Sequence, residues 1–258
     1  MAKATSNLQT APGHQVLAAA GKTLLRPGGI AATEQLWNWA GFEAGETVLE
    51  LASSFGESAI AMAKRFGVRV VGVEKNPDSV ARSRENIKSA GLDHQIEIIE
   101  GDIFNLGAID RQFDYVLAEA ILTMQSVPGK KKLLSDIRHR LKPGGKFLSQ
   151  EMLARDNEAE LHQLLSQVIR VNATPQSPAA WQQMYENASF EVQHFQMKKM
   201  GLLNVGQLVR DEGLANTIRI ARNLLANPEL RSRVLEMRRT FLQHQEELGT
   251  LIVCAIAV

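Results

Sequence analysis

Four acidic residues stand at or near the ends of short apolar runs in the first half of the chain: Glu50, Glu74, Asp102 and Glu119. Glu50 sits in Thr47-Val48-Leu49-Glu50-Leu51, and small residues follow it in Ala52-Ser53-Ser54-Phe55-Gly56. A chain that leaves a strand, turns tightly on small residues and enters a helix lets a ligand approach the backbone closely. Glu74 comes eighteen residues after Gly56, at the tip of Val71-Gly72-Val73, with Lys75 beside it. A carboxylate there can accept both hydroxyl protons of a ribose. Asp102 follows Gly101 and can accept from an exocyclic amine, while Ile103 can pack against a flat ring. Glu119 closes Phe113-Asp114-Tyr115-Val116-Leu117-Ala118 and can meet an amino group or polarise a nucleophile. Upstream, Arg26-Pro27-Gly28-Gly29 precedes a helix that holds Thr33. Free N–H groups at that helix start favour an anion.

Other chemistry is harder to find. No nucleophile–base–acid triad stands out. The six histidines lack metal-ligand spacing, and no metal is expected. His14 is a candidate base because its N-terminal segment can fold over a site, and Tyr185 is a weaker one. The one cysteine, Cys254, lies in an apolar run and has no partner for an internal disulfide, which fits a reducing compartment.

These residues need elements to position them. Helices are expected over His14–Leu25 and Ile30–Ala40, the first stopped at Arg26-Pro27-Gly28-Gly29. Strands over 47–51, 68–73, 96–99, 113–117 and 146–150 alternate with helices over 58–66, 79–90 and 130–141. That alternation predicts a doubly wound parallel sheet. Right-handed crossovers then place every strand's carboxyl end, and with it the four acids, on one rim. The second half reads as helices over 156–171 and 178–187, a strand over 190–197, helix through most of 205–248, and a final strand over 250–258. The helical insert is expected to ride over the rim as a lid. The chain divides as one domain: N-terminal helices over 1–43, a core over 44–155, a helical cap over 156–189, and the last two strands with their insert over 190–258. The first dozen residues are polar.

In this order the motifs resemble the class I S-adenosylmethionine-dependent methyltransferases, whose first motif is an acid followed by x-Gly-x-Gly-x-Gly. Here the acid is Glu50, and the three glycine places fall on Ala52, Ser54 and Gly56. The family's ribose acid matches Glu74, its adenine-side acid matches Asp102, and its Leu-Lys-Pro-Gly-Gly turn is intact at Leu141 to Gly145. The resemblance implies a Rossmann-like α/β fold: a seven-stranded, mostly parallel sheet with an antiparallel last strand and helical cap or lid insertions. It implies S-adenosyl-L-methionine as cofactor, with Glu50, Ala52, Ser53, Ser54, Gly56, Glu74, Lys75, Asp102, Ile103 and Glu119 around it. Gly28, Gly29 and Thr33 resemble a Pro-Gly-Gly…Thr segment that helps hold the methionyl carboxylate in some small-molecule members.

Exclusions narrow the reading. The chain has 258 residues and a formal charge of +1 from 29 basic and 28 acidic residues. Such balance gives no sign of a nucleic-acid or anionic-membrane partner. No run approaches the ~18 apolar residues of a membrane span, and no secretory leader is read, so the expected location is the cytoplasm. The family's amino-adenine enzymes carry Asn/Asp-Pro-Pro-aromatic after the fourth strand, where this chain has Glu119-Ala120-Ile121-Leu122. A small-molecule acceptor is therefore expected. Two other readings stay open: a non-catalytic binding or regulatory protein on the same scaffold, and a nicotinamide-dependent oxidoreductase. The second lacks Gly-x-Gly-x-x-Gly.

Overall fold

The computed structural model describes residues 8–258. The part of the polar N-terminal stretch before residue 8 lies outside the described residues. Seven strands form one sheet: β1 (Thr47–Leu51), β2 (Arg69–Glu74), β3 (Ile96–Glu100), β4 (Phe113–Glu119), β5 (Leu141–Ala154), β6 (Phe190–Lys199) and β7 (Leu248–Ala257). Their order is β3-β2-β1-β4-β5-β7-β6. The first five strands are mutually parallel, and β7 runs antiparallel to both β5 and β6. This is the expected Rossmann-like sheet with its antiparallel last strand.

Nine helices are described: α1 (Gly13–Ala20), α2 (Gly29–Ala40), α3 (Glu57–Phe66), α4 (Pro77–Ser89), α5 (Val127–Arg140), α6 (Glu158–Ile169), α7 (Pro178–Asn187), α8 (Val205–Ala226) and α9 (Pro228–Gln243). Strand side chains alternate between faces, so Val48, Val70, Ile98 and Leu117 meet α2, α3 and α4 through Leu36, Met62 and Ile87. Leu49, Val71, Val116 and Phe147 meet α5 and α7 through Leu134, Ile137 and Trp181. A third cluster joins α1, α6, α8 and α9 through Leu17, Leu165, Ile220 and Met237. It packs on Met152 and Ala154 at the carboxyl end of β5 and on Leu248 at the start of β7. This small bundle is the helical layer at the rim.

Three expectations change. The first helix stops at Ala20 rather than Leu25, because Gly21 takes φ +100° and its N–H caps Leu17 and Ala18. The stretch 205–248 is two helices: Gly213 breaks α8 internally, and Asn227-Pro228 ends it and starts α9. The cap expected over 156–189 splits as well. α6 joins the rim bundle, whereas α7 buries Trp181 and Tyr185 against the sheet face, where they fill the space beside Phe147 and Phe190.

Candidate functional site at the sheet rim

The loop after β1 shows why glycine suits two of its positions. Ala52 has φ +54° and Ser54 φ +50°, both left-handed, with Gly56 at φ +76°. A Cβ in that region costs on the order of 1–2 kcal/mol per residue. The turn is held from below by Ser53, whose N–H donates to Val73 O at 3.1 Å. Ser53 Oγ is buried without a hydrogen-bond partner among the described residues.

Glu74 locks the loop to the next strand. Its Oε2 accepts from Ser54 N at 2.9 Å and its Oε1 from Asn76 N at 2.8 Å. The carboxylate is thereby aimed and still has lone pairs free on both oxygens. At the end of β3, Asp102 accepts from Phe104 N at 3.0 Å and pairs with Lys75 Nζ at 2.7 Å. The Lys75 ammonium, then the Phe104 N–H, hold its carboxyl below the ordinary aspartate range. Ile103 opens a 3-10 segment, Ile103–Ala108, and packs against the core cluster of the α5 face. A cavity of about 280 Å³ lies under that segment, lined by Val73, Ile99, Asp102, Leu106 and Ile109 among others.

Beside the loop is a buried ionic network. Arg26 Nη1 pairs with Glu119 Oε2 at 2.9 Å and donates to Thr33 Oγ1 at 2.9 Å, and its Nη2 donates to Ser58 Oγ at 2.5 Å. Glu119 Oε1 accepts from Thr33 Oγ1 at 2.6 Å and from Gln150 Nε2 at 2.5 Å. Gln150 Oε1 takes Gly28 N at 3.2 Å. Glu50 is buried near Arg26, Ser58 and Glu119, and its Oε2 has no hydrogen-bond partner among the described residues. Burial pushes its carboxyl up to about 8; Arg26 opposes that shift, while Glu119 and Glu74 add to it. The unfolded chain ionises this group near 4.5. Its contribution to stability is therefore full below that pH and falls as pH rises to about 8.

The anion expected at the start of α2 is part of the protein itself. Asp211 of α8 accepts from Ile30 N at 2.9 Å, and Gly29 N donates to Arg26 O. Gly29 has φ +61°, and a Cβ there would fall 2.4 Å from Asp211 Oδ1. Gly28 N is already taken by Gln150. The Gly28, Gly29 and Ile30 N–H groups are thus taken within the protein, by Gln150, Arg26 and Asp211. What the segment presents to the site is Arg26 and Thr33.

The structure brings Glu50, Glu74, Asp102, Glu119, Thr33 and the 52–56 loop to the one rim. Two base candidates stand apart. Tyr185 is fully buried in the core of the sheet face, and burial drives its hydroxyl pKa upward, so it does not face the rim. His14 is exposed on α1 and makes no hydrogen bond to the network. Sequence reasoning missed Arg26 as a side chain, and it missed Ser58, Gln150 and Asp211. One signal existed: Ser149-Gln150-Glu151 interrupts the apolar run from Phe147 to Ala154, and all three are fully buried. Glu151 accepts from Leu122 N, Thr123 N and Thr123 Oγ1, which pins the loop after β4.

Residues 42–199 match a family model described as a methyltransferase domain. An uncharacterised protein of Haemophilus influenzae is 33% identical over 244 residues, covering 94% of this chain and 97% of that one. A ubiquinone/menaquinone biosynthesis C-methyltransferase of Nitrobacter hamburgensis is 35% identical over 112 residues, covering 42% of this chain and 43% of its own length. The chain thus spans less than half of that named relative. Among solved structures, an S-adenosylmethionine-dependent methyltransferase from Thiobacillus denitrificans, in complex with S-adenosyl-L-homocysteine, superposes with a TM-score of 0.69. It covers 96% of this chain and 99% of its own, at 19% identity, which is a likeness of fold.

Proposed function

The chain belongs to the class I S-adenosylmethionine-dependent methyltransferases, and from that premise we propose that it methylates a small-molecule acceptor held between the sheet rim and the helical layer of α1, α6, α8 and α9. The cofactor of the family is S-adenosyl-L-methionine. The observation that carries the site assignment is Glu74, whose two oxygens are each fixed by one backbone N–H while both retain accepting capacity.

The orphaned buried oxygen of Glu50 and the pre-aimed carboxylate of Glu74 fit such a ligand, as each offers an acceptor where the ligand has donors. In this reading Glu74 takes the ribose hydroxyls. Asp102, Lys75 and Ile103 border the adenine, and Ala52, Ser53, Ser54 and Gly56 form the loop beneath. Glu50 faces the ammonium end, and Arg26 with Thr33 faces the carboxylate end. Gly28 and Gly29 contribute by letting the turn lie against Thr250 and Asp211.

When bound, S-adenosylmethionine supplies a methyl group on a sulfonium, already activated for displacement. The protein's own task is then to align the acceptor and exclude water. Glu119 is tied to Arg26, Thr33 and Gln150, which suits it to positioning rather than to proton removal. α8 closes the carboxylate end by docking Asp211 on α2 and Glu212 on the Thr23 and Leu24 N–H groups.

The test is methyl transfer from methyl-labelled S-adenosylmethionine into fractions of a cell extract. Label is expected in the low-molecular-mass fraction and not in protein or nucleic acid, with Glu74→Ala as blank. Label in macromolecules, or none anywhere while the ligand binds, would overturn the proposal; the second result favours a non-catalytic binding protein.

A further inference from the structure

The helical layer has an outward face that the site does not use. Along α8, Leu214, Ile218 and Leu225 are 67%, 52% and 71% exposed. Their spacing of four and seven residues puts them in one stripe, with exposed Ala221 between them. Arg219 and Arg222 lie along one edge of the stripe, and Val205, Val209 and Arg210 are exposed on the turns before Gly213. The opposite side of α8 is pinned inward. Ile220 is buried, Asn216 donates to Gly21 O at 3.1 Å, and Asn223 donates to Ala20 O at 3.0 Å.

Charge is sorted across this helix. α8 holds two acids, Asp211 and Glu212, and their side chains are 1% and 0% exposed. Both are turned onto residues 22–30. All the charge that α8 shows to solvent is therefore arginine. The whole-chain charge of +1 hides this, because the acids that balance these arginines face inward.

We propose that the outward face of α8 docks on the interface of an anionic lipid bilayer. A helix with an exposed apolar stripe edged by arginine lies in the plane of such an interface, stripe in the headgroup–acyl boundary and cations among the phosphates. No helix of the described residues is long and apolar enough to cross a membrane, so the contact is peripheral. A second copy suits the face less well. A two-fold contact would bring the same patch against itself, and the outward side of α8 has no acid to pair with its arginines.

The test uses the full chain in flotation with phosphatidylcholine vesicles, with and without phosphatidylglycerol. The chain is expected to float with the phosphatidylglycerol vesicles alone, and less so as salt rises. Arg219→Glu/Arg222→Glu should weaken partitioning by about thirty-fold or more. Leu214→Glu/Ile218→Glu/Leu225→Glu should abolish it. All five residues are exposed, so both variants should keep their melting temperature and their S-adenosylhomocysteine titration. Absence of flotation on anionic vesicles would overturn the proposal. So would flotation that neither variant alters, or a concentration-dependent dimer that the leucine variant dissolves.

Discussion

Glu74→Ala is expected to weaken S-adenosylhomocysteine binding by about a hundredfold or more. Two effects add. Hydrogen bonds to a charged acceptor contribute roughly 1.5–3 kcal/mol each, and the ligand's hydroxyls lose theirs. The Ser54 and Asn76 N–H groups also lose their acceptor, which releases a loop whose Ala52 and Ser54 sit in left-handed backbone. The loop would then relax away from the conformation that the ligand needs. Glu74→Gln keeps one oxygen and should fall between the two. Calorimetric titration reads this directly. Unchanged affinity in Glu74→Ala would place the ribose elsewhere.

Arg26→Met is expected to lower stability by about 3 kcal/mol, or roughly 6–12 °C in melting temperature for a domain of this size. The guanidinium is only 15% exposed and Glu119 6%. Removing it leaves the buried Glu119 carboxylate without its cation, beside the buried Glu50 carboxyl. Adding Glu119→Met removes the stranded carboxylate, so the double variant should recover much of the loss. Thermal melts of the four proteins in the cycle measure the coupling, expected above about 1 kcal/mol. Additive losses would mean that the pair is two independent surface contacts.

The two halves of the chain were not equally legible. The alternation from Thr47 to Gln150 follows from local pattern, since each strand buries a short apolar run and each helix ends at a glycine or proline turn. The acids at the strand tips follow too, because parallel strands put all carboxyl ends on one rim. The links between Arg26, Glu119 and Gln150 do not follow, because they join distant segments, 122 residues apart in the case of Gly28 N and Gln150 Oε1. No local period encodes such a contact. The start of α2 shows the same limit: its sequence signals an anion, and only the fold reveals that the anion is Asp211. Tyr185 is the converse case. Its helix follows from local pattern, but which face of the helix meets the sheet decides that its hydroxyl is core.

The central claim is that the carboxylates of this rim hold the cofactor, and calorimetric titration with S-adenosylhomocysteine tests it most directly when run near pH 7 in two buffers of different ionisation enthalpy. Glu50 is mostly protonated in the free protein at that pH, with its carboxyl pushed up to about 8. An ammonium brought beside it favours the ionised form, so binding should release up to one proton. The prediction is saturable binding whose heat differs between buffers by that proton, with the difference lost in Glu50→Gln. No binding at millimolar ligand, or the same proton release in Glu50→Gln, would contradict the account.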